Sequence, residues 1–434
     1  MQIVECSELD WSAWIRDGDA VMWGQAAAEP LALTRELLRQ RQRIGHLEVF
    51  IGATWSDCTE VAGAGELRLR SYCGAAGNRL LAKAGVLDIL PCHYSQLPAL
   101  IRSGALRVDV LMLQLAPPDA NGRYSLSLAH DYLIAALEAA RVVIAEVNEE
   151  APWTFGSHYL TAEDIDVMVR TSREPLRPPA ARCGEIEQAV ARRAAALIED
   201  GSTLQLGLGA VPAAVLSELH GRRDLGIHTG ALVDPVASLA QAGVITNARK
   251  SVDPGVSVAG VLMGGRALCD YVHRNPRVEF RSVDYTHSAG TLARIERFVA
   301  VNSAIEVDLT GQINAEVAGG DYVGAVGGAG DFLRGALFSQ GGLPIVALPS
   351  VAGTGDKRVS RIVARLSGPV STPRSDSAII VTEHGVADLR GLSLAERQAR
   401  LLAVADPQFR ESLERAVRQG AGSGAACRLL KTDI

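Results

Sequence analysis

Residues 29–45 place apolar side chains at helical spacing on an Arg-rich background, and HLEVFIGAT (46–54) follows as a strand running into a glycine turn. The phrase returns later. CGEIEQAVARRAAALIEDG (183–201) again has apolar positions at helical spacing, and STLQLGLGA (202–210) again reads as a strand ending in glycines. Identity between the two stretches is low, but the order of helix, turn, strand and glycine is shared. This predicts two related α/β halves. TSREPLRPPAARCGE (171–185), with three prolines and several charges, suits neither helix nor strand and reads as a linker. The expected division is an N-terminal α/β domain over 1–175, a linker over 176–186 and a C-terminal α/β domain over 187–434.

Within each half lie short runs rich in Val, Ile and Leu: VDVLMLQLA (108–116), RVVIAEVN (141–148), RFVAVNSA (297–304), LPIVALPS (343–350) and SAIIVTEHG (377–385). They do not alternate between apolar and polar, which is the pattern of strands buried on both faces. Helical stretches such as HDYLIAALEAA (130–140) and VPAAVLSELH (211–220) fall between many of them. Buried strands alternating with helices predict an open, largely parallel sheet in each half, with ligands at the carboxyl ends of its strands.

Composition narrows the function classes. The 434 residues are 48% apolar and 21% charged, which is ordinary globular composition. The net charge of −6 argues against nucleic acid as a partner. No apolar run reaches the roughly 20 residues of a membrane helix. The opening MQIVECSELDWSAWIRDGD has acids and tryptophans where a signal peptide needs a basic end and an apolar core, so a cytoplasmic protein is expected. Seven scattered cysteines (Cys6, Cys58, Cys73, Cys92, Cys183, Cys269 and Cys427) form no CxxC pair. Neither a metal site nor a disulfide framework is expected from them.

Glycine concentrates where strands should end. GLGAVP (207–212) follows TLQL directly, and GAVGGAGDF (324–332) is the second cluster. Such backbone can approach a ligand and aim N–H groups at a phosphate or at the oxyanion of an attacked thioester. A tight turn without a ligand is the alternative. Neither cluster continues into Gly-Lys-Ser/Thr, and the first closes on proline where a dinucleotide fingerprint has a third glycine. A third stretch, LGIHTGALVDP (225–235), looks like a strand tip opening into a site, but its tip carries a glycine.

Longer phrases in order carry more. QLAPPDANGRYSLS (114–127), VVIAEVNEEAPWTFGSHYLTAEDID (142–166), LIEDGSTLQLGLGAVPAAVL (197–216), LGIHTGALVDPVASLAQAGVITNARK (225–250), VNSAIEVDLTGQINAE (301–316), GGAGDFLRGA (327–336) and TEHGVADLRGLSLAERQARLLAVADPQFR (382–410) together resemble the acetyl-CoA hydrolase/CoA-transferase family. The resemblance implies two related open α/β domains of the CoA-transferase type, an acyl-CoA thioester as substrate and a homodimer or larger assembly. It implies that Gly207 and Gly209 lie near the thioester, and that Gly327, Gly328 and Gly330 lie near the pantetheine and the reacting carbonyl. In that family a glutamate attacks the thioester and passes through an enzyme-CoA intermediate. The resemblance places that glutamate at Gly230.

Three readings follow. The acyl group passes directly from the thioester to water, an amine, an alcohol or a carrier-protein thiol. Alternatively, a substitute carboxylate runs ordinary CoA transfer to a carboxylic acid. In the third reading the chain is a non-catalytic CoA-binding or partner subunit. His228, two residues from Gly230, is a candidate general base, with packing as its alternative. Glu316 is a candidate catalytic carboxylate. Asp234 and Glu383 are weaker ones, and Asn302 and Arg361 match family phrases without an assignable role.

Overall fold

The computed structural model describes residues 1–57, 67–179, 183–376 and 379–423. Cys58, Cys427 and residues 180–182 of the linker lie outside them. The apolar runs become sheet centres because their residues are buried on both faces: Val110–Leu115 and Val142–Asn148 are buried at every position, as are Thr203–Leu206 and Phe298–Asn302. No polar stripe is left for solvent, so helices must cover both sides.

The first sheet has eight parallel strands in the spatial order Gln2–Val4, Val167–Thr171, Val142–Asn148, Val110–Leu115, Ala20–Trp23, Leu47–Phe50, Leu67–Ser71 and Leu87–Ile89. The chain runs outward from Ala20–Trp23 to Leu87–Ile89, then returns to Val110–Leu115 on the other side of Ala20–Trp23. The reversal opens a crevice at the carboxyl ends of those two strands. The second sheet has six strands in the order Gly226–Ile227, Thr203–Leu206, Phe298–Asn302, Leu343–Ala347, Ile379–Thr382 and Gly385–Asp388. All pairs are parallel except the last. Its reversal lies between Thr203–Leu206 and Phe298–Asn302, so Gly207 and Asn302 stand at the crevice. Both sheets are α/β in class, as the alternation of runs and helices predicts.

The helices follow the expected phrases. Leu31–Ile44 buries Leu33 and Leu37 and places Arg41 and Arg43 in its last turn, where cations favour the helix dipole. Glu185–Ala196 buries Val190, Ala191, Ala194 and Ala195, with Glu185 and Glu187 in its first turn. Each fully buried Leu of this kind contributes about 1.5–3 kcal/mol. One apolar cluster runs through both halves, joining Met22, Leu111 and Leu128 to Leu204, Val215 and Ile227. Among the described residues no helix is long and apolar enough to cross a membrane.

Candidate active site

The stretch 225–235 is pinned by main chain rather than by a long strand. Only Gly226 and Ile227 pair with the second sheet. Thr229 N donates to Val258 O (3.0 Å), and Gly230 O accepts from both Gly260 N and Val261 N (3.0 Å each). Gly260 O in turn accepts from His130 N (2.9 Å) and Asp131 N (3.2 Å) of the first half. Gly230 is thereby fixed beside the seam between the halves.

What faces Gly230 is an imidazole. A Cβ built at position 230 would stand 3.0 Å from Cε1 and 3.0 Å from Nε2 of His287, and 3.4 Å from the Phe332 ring. The same ring closes on the second glycine loop: a Cβ at Gly328 would lie 2.7 Å from His287 Nε2. Gly230 is not in the left-handed region, so its backbone would accept any residue. The ring, not the backbone, crowds a side chain there, by a few tenths of an ångström. Residues 230 and 328 form the two walls of a slot that His287 fills.

The ring is held on several sides. Its centroid lies 4.4 Å from that of Phe332 and 5.1 Å from that of Tyr94. Its Nδ1 is 2.9 Å from Thr286 Oγ1. Burial pushes the imidazole down to about 3, with His228 adding to the shift, so it is neutral at ordinary pH. On the outer side the ring lines a cleft of about 390 Å³ shared with His93, Asp284, Asp331 and Arg334. Ser95 donates from its hydroxyl (2.6 Å) and its N–H (3.2 Å) to Asp331. Arg334 is bound to Asp376.

On its inner side Tyr94 belongs to a buried polar network. Its hydroxyl donates to Asp131 Oδ2 (3.0 Å) and accepts from Gln25 Nε2 (2.5 Å), which also donates to Asp131 (2.9 Å). Tyr72 donates to Gln25 Oε1 (2.7 Å). Burial raises the Asp131 carboxyl to about 6 against the pull of these hydrogen bonds. Gln25 follows the first-sheet strand Ala20–Trp23, so this network sits at the crevice of that sheet.

Two known family domains match most of the chain. Residues 3–174 match the acetyl-CoA hydrolase/transferase N-terminal domain, and residues 264–417 match its C-terminal domain. The chain belongs to the acetyl-CoA hydrolase/transferase family. It is thus, by family, a transferase or hydrolase of acyl-CoA thioesters. Among its relatives, 4-hydroxybutyrate coenzyme A transferase of Clostridium kluyveri is 38% identical over 92% of this chain and 94% of its own. A succinyl-CoA:acetate/propanoyl-CoA:succinate CoA transferase of Fasciola hepatica is 34% identical over 93% and 85%. The crystal structure of RipA from Yersinia pestis superposes with a TM-score of 0.91 at 33% identity, covering 97% of this chain and 98% of that one.

The sequence candidates of this acetyl-CoA hydrolase/transferase chain are distributed as follows. Gly230 and Gly328 meet at His287, and Gly327 O accepts from Tyr94 N (3.0 Å). A Cβ at Gly330 would meet the His93 ring at 2.8 Å. At Gly207 it would meet Asn302 Oδ1 at 2.8 Å, and Asn302 is engaged with Gln205. Gly209 (φ +125°) precedes the helix Ala210–Ser217. His228 is fully buried behind the slot. Its Nε2–H donates to the Thr286 carbonyl (3.1 Å), burial lowers it to about 3, and its Nδ1 has no partner among the described residues.

The carboxylates are occupied. Glu316 accepts from Tyr322 (2.8 Å) and Ser371 (2.7 Å), and Glu383 from the Ser350 N–H (2.8 Å) and hydroxyl (2.7 Å). Asp234 accepts from Gly265 N (2.8 Å), capping the helix Arg266–Val272. Arg361 donates to the Ile305 carbonyl (2.8 Å) and to that of Ala304. Sequence reading missed His287, Tyr94, Gln25 and Asp131. His287 stands in VDYTHSAG, 57 positions from Gly230, where no motif or periodicity marks it.

Proposed function

We propose that this chain transfers the acyl group of an acyl-CoA thioester directly to an acceptor, which is water, an amine, an alcohol or a carrier-protein thiol, with no covalent carboxylate intermediate. The observation that carries this reading is the His287 ring, 3.0 Å from where a side chain at 230 would begin. The slot in which the family resemblance places a glutamate is filled by an imidazole. The candidate carboxylates elsewhere support the same reading, because Glu316, Glu383 and Asp234 each hold protein partners. Gly207 and Gly209 in one loop, and Gly327, Gly328 and Gly330 in the other, supply the backbone that receives CoA and the thioester oxygen. His228, through the Thr286 carbonyl, holds the segment that carries His287. The free thiols of Cys6, Cys73, Cys92, Cys183 and Cys269 suit a reducing, cytoplasmic setting, and a homodimer is the assembly we propose.

The test is a panel of acyl-CoA thioesters, with free thiol measured in the presence and absence of candidate acceptors and the intact protein weighed after mixing. Thiol release with unmodified protein mass is the expected result. A CoA-sized adduct on a carboxylate would overturn the reading in favour of ordinary CoA transfer.

A further inference from the structure

Direct transfer needs a group to take the acceptor's proton, and the slot supplies one. Thr286 Oγ1 lies 3.2 Å from Ser282 O and 2.9 Å from His287 Nδ1. Both contacts are hydrogen bonds at once when Nδ1–H donates to the hydroxyl oxygen and the hydroxyl donates to the carbonyl. The other ring nitrogen, Nε2, then keeps its lone pair. It has no hydrogen-bond partner among the described residues and lies against Gly230 and Gly328, neither of which carries a side chain to cover it. The cleft lined by His93, Asp284, Asp331 and Arg334 leads from outside to this ring.

We propose that His287 is the general base of this enzyme, and that a small alcohol, amine or water molecule reaches it through that cleft. The inference rests on the direct-transfer reading above. The acceptor's heteroatom bonds to the thioester carbon while its proton passes to Nε2, and the carbonyl oxygen becomes an oxyanion. Collapse of that intermediate breaks the C–S bond. The sulfur leaves with the bonding pair and takes the proton back from the imidazolium. The products are the acylated acceptor and free CoA thiol, and His287 returns neutral. Burial keeps the resting ring unprotonated and makes the imidazolium formed in the step a strong acid, a weak base toward the acceptor but a ready proton donor to the leaving sulfur. The charged or titratable groups around the ring are Tyr94 on its inner side, His228 behind it, and His93, Asp284, Asp331 and Arg334 in the cleft.

The experiment compares wild type with His287→Gln and His287→Asn, using acetyl-CoA and butyryl-CoA with water, ethanolamine or hydroxylamine as acceptors. Glutamine offers an amide where Nε2 stood but no base. Turnover with water and ethanolamine should fall by about 10²-fold, the low end for a general base because the buried ring is a weak one. The KM for acyl-CoA should stay within about threefold, because a general base acts in the transition state. Hydroxylamine, which attacks thioesters with little help from a base, should recover most of the lost rate. Wild-type thiol release should slow in D2O with water as acceptor, and this measurement needs no variant to fold. Turnover of either variant within threefold of wild type, or an acyl group trapped on His287 itself, would overturn the proposal while leaving direct transfer standing. A CoA adduct on a carboxylate of the wild type would instead remove the reading beneath it.

Discussion

The slot makes Gly230→Glu a discriminating substitution. Ordinary contact to a Cβ is about 3.4–4 Å, and here two ring atoms stand at 3.0 Å. The ring has little room to retreat, since Phe332 and Tyr94 pack on it and Nδ1 is tied to Thr286. Overpacking of this kind costs about 1–3 kcal/mol. In a cooperative chain of this size each kcal/mol lowers Tm by about 1 °C, so a fall of roughly 1–3 °C is expected. Gly230→Ala isolates the clash of the first carbon and should show part of the same fall. The glutamate variant alone should show little CoA exchange between acyl-CoA and free acids. Gly230→Glu combined with His287→Ala removes the ring and gives the carboxylate its space. A covalent nucleophile is worth on the order of 10⁴–10⁶ in turnover where the rest of a site survives, so exchange in the double variant should rise by several orders of magnitude. Calorimetric melting reads the clash, and labelled-acid exchange with intact-protein mass reads the chemistry. If Gly230→Glu melts with wild type and exchanges CoA as well as the double variant does, the slot does not govern position 230 and the reasoning fails.

Other outcomes are expected. Gly328→Val should weaken acyl-CoA binding by well over tenfold, about 1.4 kcal/mol, by calorimetric titration, because it drives a branched side chain into the same ring. His130, His228 and His287 are all held neutral, each lowered to about 3 by burial. Their stabilisation is present above the unfolded value near 6.5 and is lost as pH falls toward 3, at about 1.4 kcal/mol per histidine per pH unit. Denaturant titrations at pH 7, 6 and 5 check this. Asp131 has the opposite sign. Its carboxyl is raised from 3.8 to about 6, so its contribution is present below 3.8 and lost as pH rises through 6, and Asp131→Asn should steepen the acid loss by about 1.4 kcal/mol per unit in that window. We also propose that 1–175 and 187–434 are the two structural units. Because one apolar cluster runs through both, neither should give a cooperative melt when expressed alone, while co-expression should restore one.

The fold was largely legible in the sequence because its signal is local. Val110–Leu115 and Phe298–Asn302 are buried on both faces, and a run without alternation reports that directly. The edge strands were less visible. Gln2–Val4 is three residues long, and Gly385–Asp388 turns antiparallel after Thr382, a tertiary choice with no run of its own. The strand tip at 226–230 was legible as a place and its glycine as an anomaly. Its cause was not, because His287 reaches Gly230 only through the fold. Tyr94 and Gln25, 69 positions apart, share one hydrogen bond for the same reason.

Gly230 also limits how such a site arises. Its carbonyl takes two N–H groups, from Gly260 and Val261, so the main chain there does not shift to suit a new neighbour. A side chain at 230 and a ring at 287 therefore compete for one volume. With both present the slot is overpacked, and with neither it is open. Restoring a carboxylate at 230 is therefore a two-residue problem, in which position 287 has to give ground as well.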